Sequence, residues 1–307
     1  MALDSIQKQL LEQVADLHDI PSGAYNIRAN GQSFARNTTA NIDIVTKTDK
    51  PGIDIYVKAG TKKESVHIPV LLSEAGIRET VYNDFHIGDN ADVVIVAGCG
   101  IHNDGSDNSE HSGIHTFYVG KNAKLKYVEK HYGAGDGNGQ RLMNPTTVIN
   151  IDDGGYVEMD TVQIKGVDST YRTTNAVLKD KATLVIREKI MTHGQQSATT
   201  DFSVDLDGVD SAAHVISRSV AKDNSHQLFI SNINGNNRSS GHTECDAIVM
   251  NDATVSAVPK VNANHVDASL IHEAAIGKIA GEQLTKLMTL GLSEKEAEEQ
   301  IVNGFLK

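Results

Sequence analysis

The sequence predicts a mainly β chain built as a solenoid, with a short helix before it and a helical hairpin after it. Three observations predict this. Apolar residues in the body alternate with period two: Ile53, Ile55 and Val57; Val66, Ile68 and Val70; Phe202, Val204 and Leu206. Each run is bounded by Gly, Asp, Asn or Pro, as short strands are. A weak repeat places a turn former and a small residue before alternating apolar positions. It occurs at Ala91-x-Val93-x-Ile95, Ala123-x-Leu125-x-Tyr127, Gly155-x-Val157-x-Met159, Ala182-x-Leu184-x-Ile186, Ala213-x-Val215, Ala253-x-Val255 and Ala268-x-Leu270, with first intervals of 32, 32, 27 and 31 residues. No helical pattern lies between these recurrences, so each coil would bury its apolar face only against its neighbours. The last intervals, 40 and then 15, put the repeat out of register, and a β-sandwich would also give regular short strands.

Taken in order, residues 4 to 18 read as an amphipathic helix. Ile6, Leu10, Val14 and Leu17 recur at helical spacing, Asp4 and Gln7 form a capping pair, and Pro21-Ser22-Gly23 closes the segment. Past Glu273 the period is helical again. Leu284, Leu287 and Met288 share a face, Gly291 interrupts, and Ser293-Glu294-Lys295-Glu296 is a capping box for a helix through Ile301 and Val302. The expected division is a helical segment over 1–30, a β-solenoid over 31–273 and a helical segment over 274–307. A hairpin this short needs its apolar side covered by the body or by a partner.

Composition narrows the functional classes. The 307 residues carry a net charge of −12, with Lys and Arg scattered, which disfavours nucleic acid. No apolar run approaches the roughly 18 residues of a membrane span, the longest lying around Val93 to Ala97, and Met1-Ala2-Leu3-Asp4-Ser5 lacks the features of a secretory signal. A cytoplasmic protein is expected, with its two cysteines as free thiols. No Trp and 5% aromatic residues argue against a carbohydrate-active β-helix enzyme. Gly120-Lys121 and Gly277-Lys278 lack the spacing and Ser/Thr of a phosphate loop, so the chain is not expected to hydrolyse nucleotides.

Few residue patterns suggest chemistry. Cys245 lies in a strand-like run from Gly241 to Ala253, where a cysteine is more often a small buried hydrophobe than a ligand. Cys99, His102, His111 and His115 have a spacing that could hold zinc, but the polar, Gly/Ser/Asp-rich stretch Asn103 to Ser112 favours a solvated loop. His131 and His193 have no supporting neighbours in sequence and read as surface or core residues.

The run Thr243 to Pro259, followed by His272-Glu273-Ala274, Ile276-Gly277-Lys278-Ile279, Glu282-Gln283-Leu284, Gly291-Leu292-Ser293-Glu294 and Ile301-Val302-Asn303-Gly304-Phe305, resembles the C-terminal core of the SufB/SufD family of iron–sulfur assembly proteins. A fainter resemblance runs upstream through Asn122-Ala123-Lys124-Leu125-Lys126-Tyr127 and Gly98-Cys99, so that it covers roughly residues 80 to 305. The resemblance implies a right-handed parallel β-helix, a C-terminal dock for a SufC-like ABC ATPase, and assembly of a transient iron–sulfur cluster at a dimer interface. It further implies that Cys245 binds the cluster, that His272 and Glu273 are ligands at the opposing site, and that Cys99 receives sulfur as a persulfide. One chain supplies one such cysteine, so a homodimer is expected, working with a sulfur donor and apo-protein acceptors. An ATPase-docking subunit that holds no cluster is the alternative. Ile271 stands where B-type members have an acidic residue, the N-terminal region is short, and the chain stops soon after Phe305. These departures bear on a third carboxylate ligand and on the extent of the ATPase dock.

Overall fold

The computed structural model describes residues 3–307. Helix α1 (Ser5–Ala15) starts with the capping box expected at Asp4 and Gln7 and ends on Asp16 in the left-handed conformation. Two antiparallel pairs follow: β1 (Ala24–Ala29) with β2 (Gln32–Asn37), and β3 (Ile42–Thr46) with β4 (Gly52–Val57). They close one end of a parallel solenoid of about eight turns. Its coils run through β5 (Lys62–Leu72), β6 (Arg78–Ile87), β7 (Asp92–His102), β8 (Ser109–Val119), β9 (Lys124–Ala134), β10 (Arg141–Met143) and β11 (Thr146–Ile151). They continue through β12 (Tyr156–Lys165), β13 (Ser169–Leu178), β14 (Thr183–Thr192), β15 (Ser197–Leu206), β16 (Ser211–Ala221), β17 (His226–Gly235), β18 (Ser239–Val249), β19 (Thr254–Ala263) and β20 (Ala268–Gly277). One ten-stranded sheet ends on β18 and β20, the other on β17 and β19. Strand structure therefore begins at Ala24 and persists to Gly277, beyond both edges of the expected solenoid.

The repeat has a physical origin. Asn90, Asn122, Gly154, Lys181 and Asp210 adopt positive φ, and each precedes a small residue at the inner corner of the turn, where Ala91, Ala123 and Ala182 are fully buried. Asn, Asp and Gly tolerate that conformation best, and only a small side chain fits the corner behind it. Val93, Leu125, Val157, Leu184, Ala213, Gly241 and Leu270 then stand in one register row across the first sheet. Ala213 thus sits two positions past its corner, which is Ser211, and Ala253 opens a strand of the other sheet. Both facts account for the irregular last intervals.

Inward side chains form one continuous core, with Phe85 and Phe117 stacked at 4.3 Å. Helix α1 lies outside it on β5, β7 and β9, burying Leu10, Leu11 and Val14. Its approach needs the outward-facing Gly98 and Gly100, because a Cβ there would come within 2.7 Å of the Val14 carbonyl oxygen and 3.0 Å of the Leu10 side chain. Helices α2 (Gly281–Thr289) and α3 (Glu294–Phe305) form the expected hairpin, α3 starting on the Ser293/Glu296 capping box. Val302 and Leu306 pack on Val220, so the body covers much of the apolar side of α3. No residue of helix α2 is fully buried, Leu284 and Leu287 being partly covered. No helix among the described residues is long and apolar enough to cross a membrane.

Candidate functional site

Strand alternation decides which of the singled-out residues can meet. On β18, Thr243 and Cys245 point inward while His242, Glu244 and Asp246 point outward. In β20, His272 is in register with Thr243 and Ala274 with Cys245. His272 therefore shares the inner face with Cys245 as its diagonal neighbour, and its Nδ1 lies 2.6 Å from the Thr243 hydroxyl. Glu273, one position on, falls on the outer face, 3.4 Å from His242 Nε2. The structure thus brings Cys245 and His272 together and sets Glu273 on the other side of the sheet.

Cys245 is buried at 1% exposure, and no coil follows β19 and β20. Pro259 and Val261, inward by register on β19, are left exposed, as is Ala274. This is an open mouth with the Cys245 thiol one layer below it. Burial first, then the Glu188 and Asp246 carboxylates, push the thiol up to about 12. At neutral pH it is protonated, and a thiophilic cation must displace the proton to bind.

Cys99 lies on the same inner surface, five strands away along the sheet order, a span of roughly 24 Å at the usual interstrand spacing. At 2% exposure it packs with Val70, Ile101 and Met143. It adjoins a cavity of about 20 Å³ bordered by Asn83, His111, His115, Glu129 and His131, room for about one water. Burial, followed by Glu79 and Glu129, raises its pKa well above the usual thiol value.

Sequence reasoning missed what lies between the two cysteines. His131 is the register partner of Cys99, and Ser217 that of Cys245. A buried polar chain links them. His131 Nδ1 is 3.3 Å from Arg172 Nη2, and Arg172 Nη1 donates to Glu129. Arg172 Nε lies 3.7 Å from Glu188, whose carboxylate accepts from Thr200 at 3.1 Å and from Ser217 at 2.8 Å. On the near side Tyr127 donates to Glu129 at 2.9 Å and meets His115 Nδ1 at 2.8 Å. Burial alone would raise the Glu129 carboxyl, but Arg172, His131 and His115 hold it far below the usual range. Glu188 is raised by burial, with Arg172 only partly offsetting. A period-two strand with Glu, His or Arg in its inward phase was the one available signal, visible at Tyr127-x-Glu129-x-His131.

The expected solvated loop is confined to 103–108, and Ser109 to Val119 is a strand with His111 and His115 inside. His111 is bonded to Glu79 at 3.1 Å, and Arg28 donates to the same carboxylate at 2.7 Å. Burial would raise Glu79, yet His111 and then Arg28 bring it to about 2. His102 points outward and bonds Asp104. The residues with zinc-like spacing are thus divided between two faces.

Comparison with known proteins shows the family. The family profile described as SUF system FeS cluster assembly, SufBD core domain, matches residues 79–305. The chain is 30% identical over 255 residues to an iron–sulfur cluster assembly SufBD family protein of Methanocaldococcus jannaschii, covering 82% of this chain and 79% of that one. A SufBD family protein of Methanothermobacter thermautotrophicus is 31% identical over 244 residues, which cover 77% of this chain and 57% of the relative, so the chain spans little more than half of that protein. A third, from Pyrococcus horikoshii, is 25% identical over 296 residues, 96% of this chain and 84% of the relative.

Proposed function

The chain belongs to the SufBD family, whose members take part in iron–sulfur cluster assembly, and on that premise we propose that it is a scaffold on which a cluster is built and from which it is passed on. The observation that carries the reading is the inner-face pair Cys245 and His272 under an open mouth. Iron is substrate here. The Cys245 thiol yields its proton to become the strongest ligand, His272 adds a neutral imidazole, and mixed ligation near a surface favours release over retention. A second copy docked mouth to mouth through Pro259, Val261 and Ala274 would supply a second cysteine and histidine, which is why we propose a homodimer. Glu273, on the outer face, is left out of that ligand set.

Cys99 is assigned the reception of sulfur. Its thiolate takes the outer sulfur of a donor persulfide, the donor leaving as a thiol, in an opened state that exposes the buried side chain. Hydrolysis of ATP is assigned to an ABC-type partner. Its dock is α2 with its C-cap, where Met288 and Leu290 are 44% and 75% exposed while α3 is occupied by the body.

Anaerobic reconstitution with iron and sulfide tests the reading. Cys245→Ser should bring cluster absorption close to background, His272→Ala should leave a weaker cluster, and Glu273→Ala should do less than His272→Ala. Cys99→Ala should matter only when sulfur comes from a desulfurase. Met288→Lys with Leu290→Lys should separately abolish co-purification with the ATPase. A Cys245→Ser protein that binds cluster like the parent overturns the assignment of Cys245, and a parent that takes up no cluster leaves the ATPase-docking subunit as the reading.

A further inference from the structure

The outer face of the same sheet end carries a second group of ligand-type side chains, back to back with Cys245 and independent of the cluster reading. His214 on β16 and His242 on β18 are in direct register, their rings stacked at 4.8 Å and 11°. Glu244 follows His242 by two positions and so projects from the same face. One ligand atom each from His214, His242 and Glu244 lies within 4.8 Å of the others, the one such group of three among the described residues.

Two further facts point to a ligand. His214 Nε2 and His242 Nε2 are both out of contact with solvent and have no hydrogen-bond partner. Glu273 Oε2 approaches His242 Nε2 to 3.4 Å, but the contact lacks hydrogen-bond geometry. An unsatisfied buried nitrogen is costly, and here two occur side by side on adjacent strands. A groove of about 270 Å³ runs along His214, His242, Ser240, Ser269 and Ile271, giving a path for an ion and its waters.

We propose that His214, His242 and Glu244 bind a divalent first-row transition ion, Fe²⁺ or Zn²⁺, on the outer face of the solenoid, with Glu273 beside it. Two imidazoles and one carboxylate suit borderline cations, whereas Mg²⁺ and Ca²⁺ prefer all-oxygen sites. Coordination requires a rotation of the parallel rings about χ2, a broad and soft torsion. The strands themselves need not move, so the site is held by the most regular part of the fold.

The test uses the full chain, stripped with chelator and titrated anaerobically with Co²⁺ read by visible absorption, followed by displacement with Zn²⁺ and with Fe²⁺. The titration is run in the Cys245→Ser, Cys99→Ala background, where no thiol competes for the ion, and one ion per chain is expected there. His214→Ala, His242→Ala and Glu244→Gln should each weaken that binding about tenfold or more. Circular dichroism checks the fold, and His214→Gln with His242→Gln replace the alanine variants if those unfold. Absence of binding in that background, or unchanged affinity in the histidine variants, would each overturn the site. Failure of cluster reconstitution in Cys245→Ser leaves this outcome untouched, so the two proposals can fail separately.

Discussion

The two halves of the solenoid share one coil geometry and use their interiors in opposite ways. Around Cys99 the interior is sealed and charged: α1 covers the outer face, antiparallel hairpins close the end, Glu129, His115, His131 and Arg172 are all buried, and Glu79 is nearly so. Around Cys245 the interior is apolar apart from hydroxyl groups, His272 and the Glu188 carboxylate at the end of the polar chain, and the last coil is left without a neighbour. Regular coils set where a side chain points, but not what it meets. The closed half has to satisfy its own charges, and the open half leaves its apolar mouth to something else.

Breaking the closed half should have the largest effect. Arg172 stands between Glu129 and Glu188 with all three buried, so Arg172→Leu leaves two carboxylates without their cation. Removing one member of a buried ionic group costs about 3–5 kcal/mol. A urea melt of the variant at pH 7 should show a loss of that order, while Arg238→Leu, which breaks the exposed pair with Asp210, should cost at most about 1 kcal/mol. Equal losses would show that the buried chain is not what holds this half.

Acid should sharpen the contrast. His115 and His131 are lowered to about 4, by burial against the opposing pull of Glu129. Both are neutral in the folded protein at pH values where the unfolded chain, with histidine near 6.5, takes up protons. Stability is therefore highest above pH 6.5 and falls as pH drops from there towards 4. Each group contributes a slope of up to about 1.4 kcal/mol per pH unit. Glu79, at about 2 against 4.5 for the unfolded carboxyl, adds a loss below pH 4.5. Hydrogen exchange at pH 5 against pH 7 should place the weakening in β6 to β13 before β16 to β20. Uniform weakening along the solenoid would contradict the sealed-interior account.

Much of the fold was legible because it depends on short-range rules. The capping pairs at Asp4 and Ser293 act within four residues, and positive-φ turn formers followed by alanine mark the coil corners locally. The inner-face chain was not legible. It joins Glu129 to Arg172 and Glu188 across three strands, and which residues face each other depends on coil lengths that drift between 27 and 32 residues. The same drift hid the phase error at Ala213. His272 could be placed beside Cys245 only through strand register, and the adjacency of Glu273 in sequence gave no hint that alternation sends it to the opposite face. His214 and His242, 28 residues apart, carry no motif at all; the stacking of adjacent coils alone makes them neighbours.

The smallest effect on stability should come from the open mouth, and it would also be the most informative. Val261 and Ala274 point along the inner rows of β19 and β20, yet both are exposed because no further coil covers them. Val261→Lys with Ala274→Lys places two ammonium groups where they remain in water, so the isolated chain should lose no more than about 0.5 kcal/mol per site. Two copies meeting mouth to mouth would instead bring four such charges together in a desolvated seam, where like charges are strongly unfavourable. Sedimentation at micromolar concentration should therefore show a dimer for the parent and a monomer for the double variant, with melting temperatures nearly equal. A dimer that survives both lysines, or a parent that is monomeric with and without the ATPase, would mean that Cys245 and His272 serve a single chain and that the mouth is open for a different protein.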